Sequence, residues 1–297
     1  MKIKKVLSIT LKLFAVCIAM TISFAVAAGI ANPGAASNTQ SPEEAAQAGM
    51  ALLIVSAVNA LLLAWPIARS RWHGLKLVGA ILFVLFSVQT FMSQVETIFF
   101  GSAFNISATE MRGIILTGFL TAVFFSFLAV LIMGKMRKPK DEEEPAPSLD
   151  LSPRDWAMRL ILLPLAYIAF YFLFGYFVAW QSPDVRQLYS GSTDIAPFFA
   201  HMANTLQNSL EIIPFQFVRG LIWIGLAFPI LRLMKGGAWE KAIVVGFLFG
   251  LLLTTQLLFP NPYMPAPVRL AHFIETSTST FLYGVLIGKV FAPQGNK

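Results

Sequence analysis

The stretch Arg269-Leu-Ala-His272-Phe-Ile-Glu275-Thr276-Ser-Thr-Ser279-Thr280 opens the last of eight hydrophobic runs in a chain of 297 residues. At about 100° per residue on a helix, Arg269, His272, Glu275, Thr276, Ser279, Thr280 and Tyr283 share one arc of about 140°. A polar stripe of this kind is expensive in hydrocarbon, so inside a membrane it must face protein or a water-filled cavity. Read as a membrane span, the stretch completes an all-α polytopic membrane protein of about eight transmembrane helices.

Composition supports that class. Hydrophobic residues make up 57% of the chain and charged residues 12%, which excludes an ordinary soluble enzyme. The runs fall at 7–31, 50–68, 75–99, 112–134, 158–180, 213–233, 239–259 and 268–291, and about 20 apolar residues suffice to cross the hydrocarbon core. The net charge of +7 has a positional explanation rather than a nucleic-acid one. Of 22 Lys and Arg residues, 18 fall at the N-terminus, in 69–76, 135–159 and 232–241, and at the C-terminal end. Arg112, Arg186, Arg219 and Arg269 are left on the other side. This asymmetry predicts both termini on the cytoplasmic side. The short loops fit an inner (cytoplasmic) membrane, with the lipid bilayer as partner and no nucleic acid. Lys2, Lys4 and Lys5 before an apolar run ending in Ala25-Val26-Ala27 also fit a cleaved signal peptide. The length of the run favours a retained span. Cys17 stands alone, so no intrachain disulfide and no cysteine-based metal site is possible.

The chain organises as a first four-span half, 1–134, a cytoplasmic acidic and proline-bearing linker, 135–157, and a second four-span half, 158–297. The linker carries Asp141-Glu-Glu-Glu-Pro-Ala-Pro, a composition that cannot bury a core. The halves resemble each other internally. Trp65-Pro66-Ile67-Ala68-Arg69 closes the second span and Phe228-Pro229-Ile230-Leu231-Arg232 the sixth; Gly79 and Gln89 recur, at equal separation, as Gly246 and Gln256. Four spans per half return the chain to its starting side, so the repeats are expected to be parallel. Residues 195–213 alternate Phe198, Phe199, Met202, Leu206 and Leu210 with His201, Asn204, Gln207 and Glu211. That spacing predicts an amphipathic helix at the outer interface, capped by Asp194. The proline-rich segment Pro260-Asn-Pro262-Tyr-Met-Pro265-Ala-Pro267 is expected to cap the last span.

Three groups of residues carry candidate chemistry. Arg269, His272, Glu275, Thr276 and Ser279 line the last span, with Glu275 about 10 Å into the membrane at 1.5 Å per residue. Gln89, Ser93 and Glu96 share a face of the third span. Arg219 lies in the sixth span one turn after Gln216 and one turn before Trp223. A buried arginine needs a carboxylate partner, which makes Glu275 or Glu96 the expected one. A zinc site drawn from His201, His272 and Glu275 lacks any recognised spacing, so no metal is assigned. No Walker, dinucleotide or nucleophile-elbow motif occurs, and no cofactor is expected. The expected function is a small-solute or ion transporter whose outward-facing polar cavity is lined by the last span. Glu275 would exchange a proton or cation, with Arg269 or Arg219 as charge partner. The less favoured readings are an intramembrane enzyme acting on a lipid-linked substrate, and an accessory subunit whose polar helices bind another membrane protein. A second copy of the chain is a further possible partner.

Overall fold

Serine side chains set where several of the long helices begin. The Ser41 hydroxyl accepts from the Glu44 backbone N–H at 3.2 Å, and the Glu44 carboxylate accepts from the Ser41 N–H at 2.9 Å. Ser107 and Glu110 repeat this reciprocal cap at 3.2 and 2.8 Å, and Ser152 accepts from the Asp155 N–H at 3.1 Å. Each cap satisfies helix-end donors that would otherwise be orphaned. The helices therefore start ahead of their apolar runs: the second begins at Pro42 rather than at residue 50.

The computed structural model describes residues 2–32, 41–101, 106–138, 151–261 and 264–291. Within them run α1 (Lys2–Ala31), α2 (Pro42–Ala68), α3 (Gly74–Phe99), α4 (Ala108–Ile132), α5 (Pro153–Phe177), α6 (Pro183–Ser190), α7 (Phe198–Asn208), α8 (Ile212–Leu233), α9 (Ala238–Leu258) and α10 (Ala266–Phe291). No strand occurs among the described residues beyond one isolated bridge. Seven of the helices, α1 to α5 with α8 and α9, are long and apolar enough to cross a membrane. This makes the chain an integral membrane protein of helical type. α10 has 26 residues, about 39 Å at 1.5 Å per residue, but its polar stripe keeps it out of the apolar seven. The acidic run Asp141-Glu-Glu-Glu144 lies outside the described residues.

α3 and α9 are not uniform. A π turn occupies Phe86–Phe91 in α3. α9 passes through a π turn at Leu248–Leu252 and then a 3-10 turn at Thr255–Leu258. Neither change is visible in hydropathy, because a shift in hydrogen-bond partner leaves the apolar run intact. Such departures inside a helix free carbonyls and often coincide with functional positions.

The chain divides into two compact units, and the division falls within α9. The first comprises Met1–Ala146, Arg232–Gly236 and Leu251–Tyr263. In it α1 runs antiparallel along α4, tied by the Asn32 amide donating to the Thr117 hydroxyl at 3.3 Å and by Lys12 donating to the Met133 carbonyl at 3.5 Å. The loops that follow α2 and α8 pair with each other. The Arg71 N–H donates to the Leu233 carbonyl and the Lys235 N–H to the Arg69 carbonyl, both at 2.8 Å.

The second unit comprises Pro147–Leu231, Gly237–Gly250 and Met264–Lys297. Its central contact is between α9 and α10, where glycines remove the side chains that would hold the helices apart. A Cβ on Gly246 would stand 2.9 Å from the Phe281 carbonyl oxygen, one on Gly250 2.6 Å from the Ser277 oxygen, and one on Gly284 2.8 Å from the Gly246 Cα. α10 is inside-out relative to a soluble helix. Leu270, Ile274 and Leu282 are exposed, while Glu275, Ser279, Thr280 and Tyr283 are buried.

This contact generates a stability prediction. Gly284→Leu forces α9 and α10 apart and lowers unfolding stability by about 1–3 kcal/mol, the cost of overpacking. Gly225→Ala, where an added Cβ meets nothing within 4 Å, changes it by no more than about 1 kcal/mol. Thermal unfolding of both variants in detergent checks the contrast.

Candidate functional site

The site begins with a short helix between the fifth and sixth apolar runs. α6 starts at Pro183 and stops at Gly191, whose φ of 71° is left-handed, the usual pairing of proline at a helix start and glycine past its end. Arg186 is buried and anchors the segment around it. Its Nη1 donates to the Trp180 carbonyl at 2.6 Å and its Nε to the Thr193 carbonyl at 2.7 Å. The Tyr176 hydroxyl holds the next stretch by donating to the Ala196 carbonyl at 2.7 Å.

Fixed this way, α6 brings Tyr189 to α10. The Tyr189 hydroxyl lies 3.2 Å from His272 Nε2, with the two rings edge to face at 5.7 Å. On its other side, His272 Nδ1 faces Glu275 Oε2 at 3.7 Å. The same carboxylate oxygen accepts from the Thr276 hydroxyl at 2.7 Å. Exposure falls along this line, from 38% at Tyr189 to 8% at Glu275, with the His272 side chain between them at 24%. A phenol, an imidazole and a carboxylate thus step inward from the surface of the unit, and the imidazole presents one nitrogen to each neighbour.

Below Glu275 the stripe serves as internal cross-linking. Ser279 donates to the Thr276 carbonyl at 3.2 Å, and Thr280 to the carbonyl of Phe249, inside the π turn of α9, at 3.0 Å. The Tyr283 hydroxyl donates to the Gly220 carbonyl of α8 at 3.0 Å. Its ring packs 4.8 Å from that of Tyr167 on α5. The Tyr167 hydroxyl in turn accepts from Trp223 Nε1 at 3.3 Å.

Arg269 and Arg219 each bond to a group on their own segment. Arg269 donates to the Met264 carbonyl at 2.8 Å, pinning the chain just before α10; Pro262 and Tyr263, part of the expected cap, lie outside the described residues. Arg219 is 2% exposed and donates to Gln216 Oε1 at 3.1 Å. Its guanidinium also lies 5.8 Å from the Tyr167 ring and 5.6 Å from the Phe215 ring. Glu275 is joined to a hydroxyl and an imidazole, and no arginine closes on it among the described residues.

Gln89 and Glu96 belong to the first unit. Gln89 lies within the π turn of α3, and its Nε2 donates to the Thr255 hydroxyl at 3.4 Å. Ser93 donates back to the Gln89 and Thr90 carbonyls at 3.1 and 2.9 Å. Glu96 is half-buried near the end of α3. Two contributors escaped the sequence reading. Tyr189 meets His272 across 83 residues of chain, and Asn59 is the one amide side chain inside the apolar run 50–68. Only the proline and glycine bracketing α6 signalled the first.

His201 does not join His272. α7 begins after Pro197 rather than at Asp194 and ends at Asn208, and its His201 ring lies 4.6 Å from that of Trp180 and 5.4 Å from that of Tyr176. Among the described residues no three of His, Cys, Asp and Glu gather as a metal would require. Comparison with protein-family models, curated proteins and solved structures gives no match.

Burial against Trp180 holds the His201 imidazole below its ordinary pKa, because desolvation disfavours the charged form. The neutral ring is the one that docks. The docking of α7 is therefore complete above the ordinary histidine range and weakens as pH falls through it. Amide hydrogen exchange across Phe198–Asn208 should accelerate between pH 7 and pH 5, and His201→Phe should flatten that dependence.

Proposed function

We propose that this integral membrane protein is a small-solute or ion permease of the inner (cytoplasmic) membrane. In this reading α10 is an eighth span, both termini are cytoplasmic, and the halves 1–134 and 158–297 are parallel four-span repeats. Support for the eighth span is the inside-out character of α10, which exposes Leu270, Ile274 and Leu282 and buries Glu275 and Thr280. A helix of that pattern suits surroundings less polar than its own core. Support for the repeats comes from two pairs of features. The helices that follow Trp65–Arg69 and Phe228–Arg232 both carry a π turn, and the corresponding loops pair through Ser70 and Met234.

The observation that carries the function is the inward line Tyr189, His272, Glu275. Glu275 is the carboxylate that exchanges a proton or cation with an outward-facing cavity, and His272 is its relay. A proton arriving at His272 Nε2 from the Tyr189 side makes the imidazolium. Loss of the Nδ1 proton to Glu275 Oε2 then leaves a neutral imidazole in the other tautomer. The 3.7 Å gap requires an approach of roughly 0.5–1 Å to reach hydrogen-bond length, which a small rotation of either side chain supplies. Thr276 holds the accepting oxygen in place, and Ser279 lines the inner end.

The test uses purified protein in liposomes that trap a pH-sensitive dye, with an imposed pH gradient and panels of small solutes outside. Wild-type protein should show solute-dependent proton movement. Glu275→Gln should abolish it, and His272→Ala should slow it by about 10²–10⁴-fold, the usual contribution of a positioned proton-transfer group. A folded Glu275→Gln protein that moves protons at the wild-type rate overturns the role given to this residue.

A further inference from the structure

The first unit holds a second polar cluster, built of amides, hydroxyls and a backbone carbonyl without an ionisable group. Thr255 sits where α9 has left its helical pattern: a π turn precedes it at Leu248–Leu252, and the 3-10 turn Thr255–Leu258 begins with it. Its hydroxyl donates to Asn59 Oδ1 of α2 at 2.8 Å and accepts from Gln89 Nε2 of α3 at 3.4 Å. The Leu252 carbonyl oxygen is 3.5 Å from the same hydroxyl. Asn59 is 2% exposed and Thr255 1%, with Thr254 equally buried beside it. Further along α3, the buried Gln94 amide oxygen accepts no hydrogen bond.

Polar side chains in the middle of membrane helices are costly, and a packing contact does not need three of them joined to one another. The backbone adds to the case: the π turn and the 3-10 turn shift the carbonyl pairing of α9 around Leu252. Neutral oxygens gathered at an irregular turn of this kind are the donor set suited to a cation that sheds its water. With no carboxylate in the cluster, a divalent ion would be left uncompensated, and a monovalent one fits better.

We propose that Asn59, Thr255 and the Leu252 carbonyl form a binding site for a monovalent alkali cation, with Gln89 as its gatekeeper. On binding, the Thr255 hydroxyl turns its proton away from Asn59, so that Asn59 Oδ1, Thr255 Oγ1 and the Leu252 oxygen all face the ion. The Gln89 amide rotates to present its oxygen. Because the site uses the irregular turns of α9, occupancy favours one arrangement of that helix over another. The inference deepens the permease reading, and its coupling role rests on that reading; the binding site itself does not.

The experiment is thermal unfolding of the purified full chain in detergent, titrated with NaCl or KCl against choline chloride at constant ionic strength. Wild-type protein should be stabilised saturably by one of the alkali cations and not by choline. Thr255→Val should weaken that cation by at least about tenfold, the scale lost even when a supporting partner of a metal ligand is removed. Thr255→Ser should keep it, and Asn59→Asp, which adds a charge to the donor set, should tighten it. Should Thr255→Val fail to fold, the Asn59→Asp titration decides. An unfolding temperature indifferent to which cation is present, or a saturable shift unchanged in Thr255→Val and Asn59→Asp, overturns the proposal. Glu275→Gln separates the two readings. It should abolish proton movement while leaving the cation shift intact, so loss of either behaviour in wild-type protein condemns one reading without touching the other.

Discussion

A helix that carries His272, Glu275, Thr276, Ser279 and Thr280 on one face can stand among apolar helices only if that face is covered. The second unit covers it at successive levels. Tyr189 of α6 meets His272 near the start of α10, the Phe249 carbonyl of α9 receives Thr280, and Gly220 of α8 with Tyr167 of α5 encloses Tyr283. Each cover depends on a local feature of its own helix. α6 needs Arg186 to hold its approach, and α9 needs glycine where it touches α10. α8 needs Gly220, where a Cβ would stand 2.8 Å from the Pro164 Cα of α5. Remove the requirement to hide the stripe and none of these features has a reason to be where it is.

The two units answer the problem of buried polarity in different ways. The second uses titratable groups in a line that reaches the surface, which suits proton movement. The first uses amides and hydroxyls gathered where α3 and α9 depart from regular helix. A neutral cluster cannot store a proton near neutral pH, whereas a carboxylate can exchange either a proton or a cation. The chemistry of each set therefore restricts what it can serve.

The fold was largely legible in the sequence, because hydrocarbon allows few solutions. Every backbone polar group must be satisfied within its own segment, so each long apolar run became a helix, seven of them apolar enough to cross a membrane. The ends were less legible. Ser41 with Glu44 and Ser107 with Glu110 extend α2 and α4 beyond their apolar runs, since capping chemistry lies outside a hydropathy window. Glu275 and His272 stood out because charge inside an apolar run is conspicuous. Their partner Tyr189 did not, since a tyrosine in a short polar segment becomes meaningful only when folding brings α6 to α10. Asn59 and the π turns were hidden for a related reason: one amide barely changes the character of a run, and a shifted hydrogen bond does not change it at all. Asp194 was a reasonable cap for α7, but Pro197, with no N–H and a fixed φ, sets the start of that helix instead.

Everything proposed for Glu275 requires α10 to cross the bilayer with its polar face turned inward, and the sidedness of its two ends tests that claim directly. With Cys17 replaced by alanine, Met264→Cys and Lys289→Cys place single thiols just before and near the end of α10. A membrane-impermeant maleimide applied to right-side-out and inverted vesicles reports which side each thiol occupies. The account predicts that the thiol at 264 is labelled only from the outside and the thiol at 289 only from the inside. Labelling of both from the same side would show that α10 lies on the membrane rather than through it, and would contradict the account at its root.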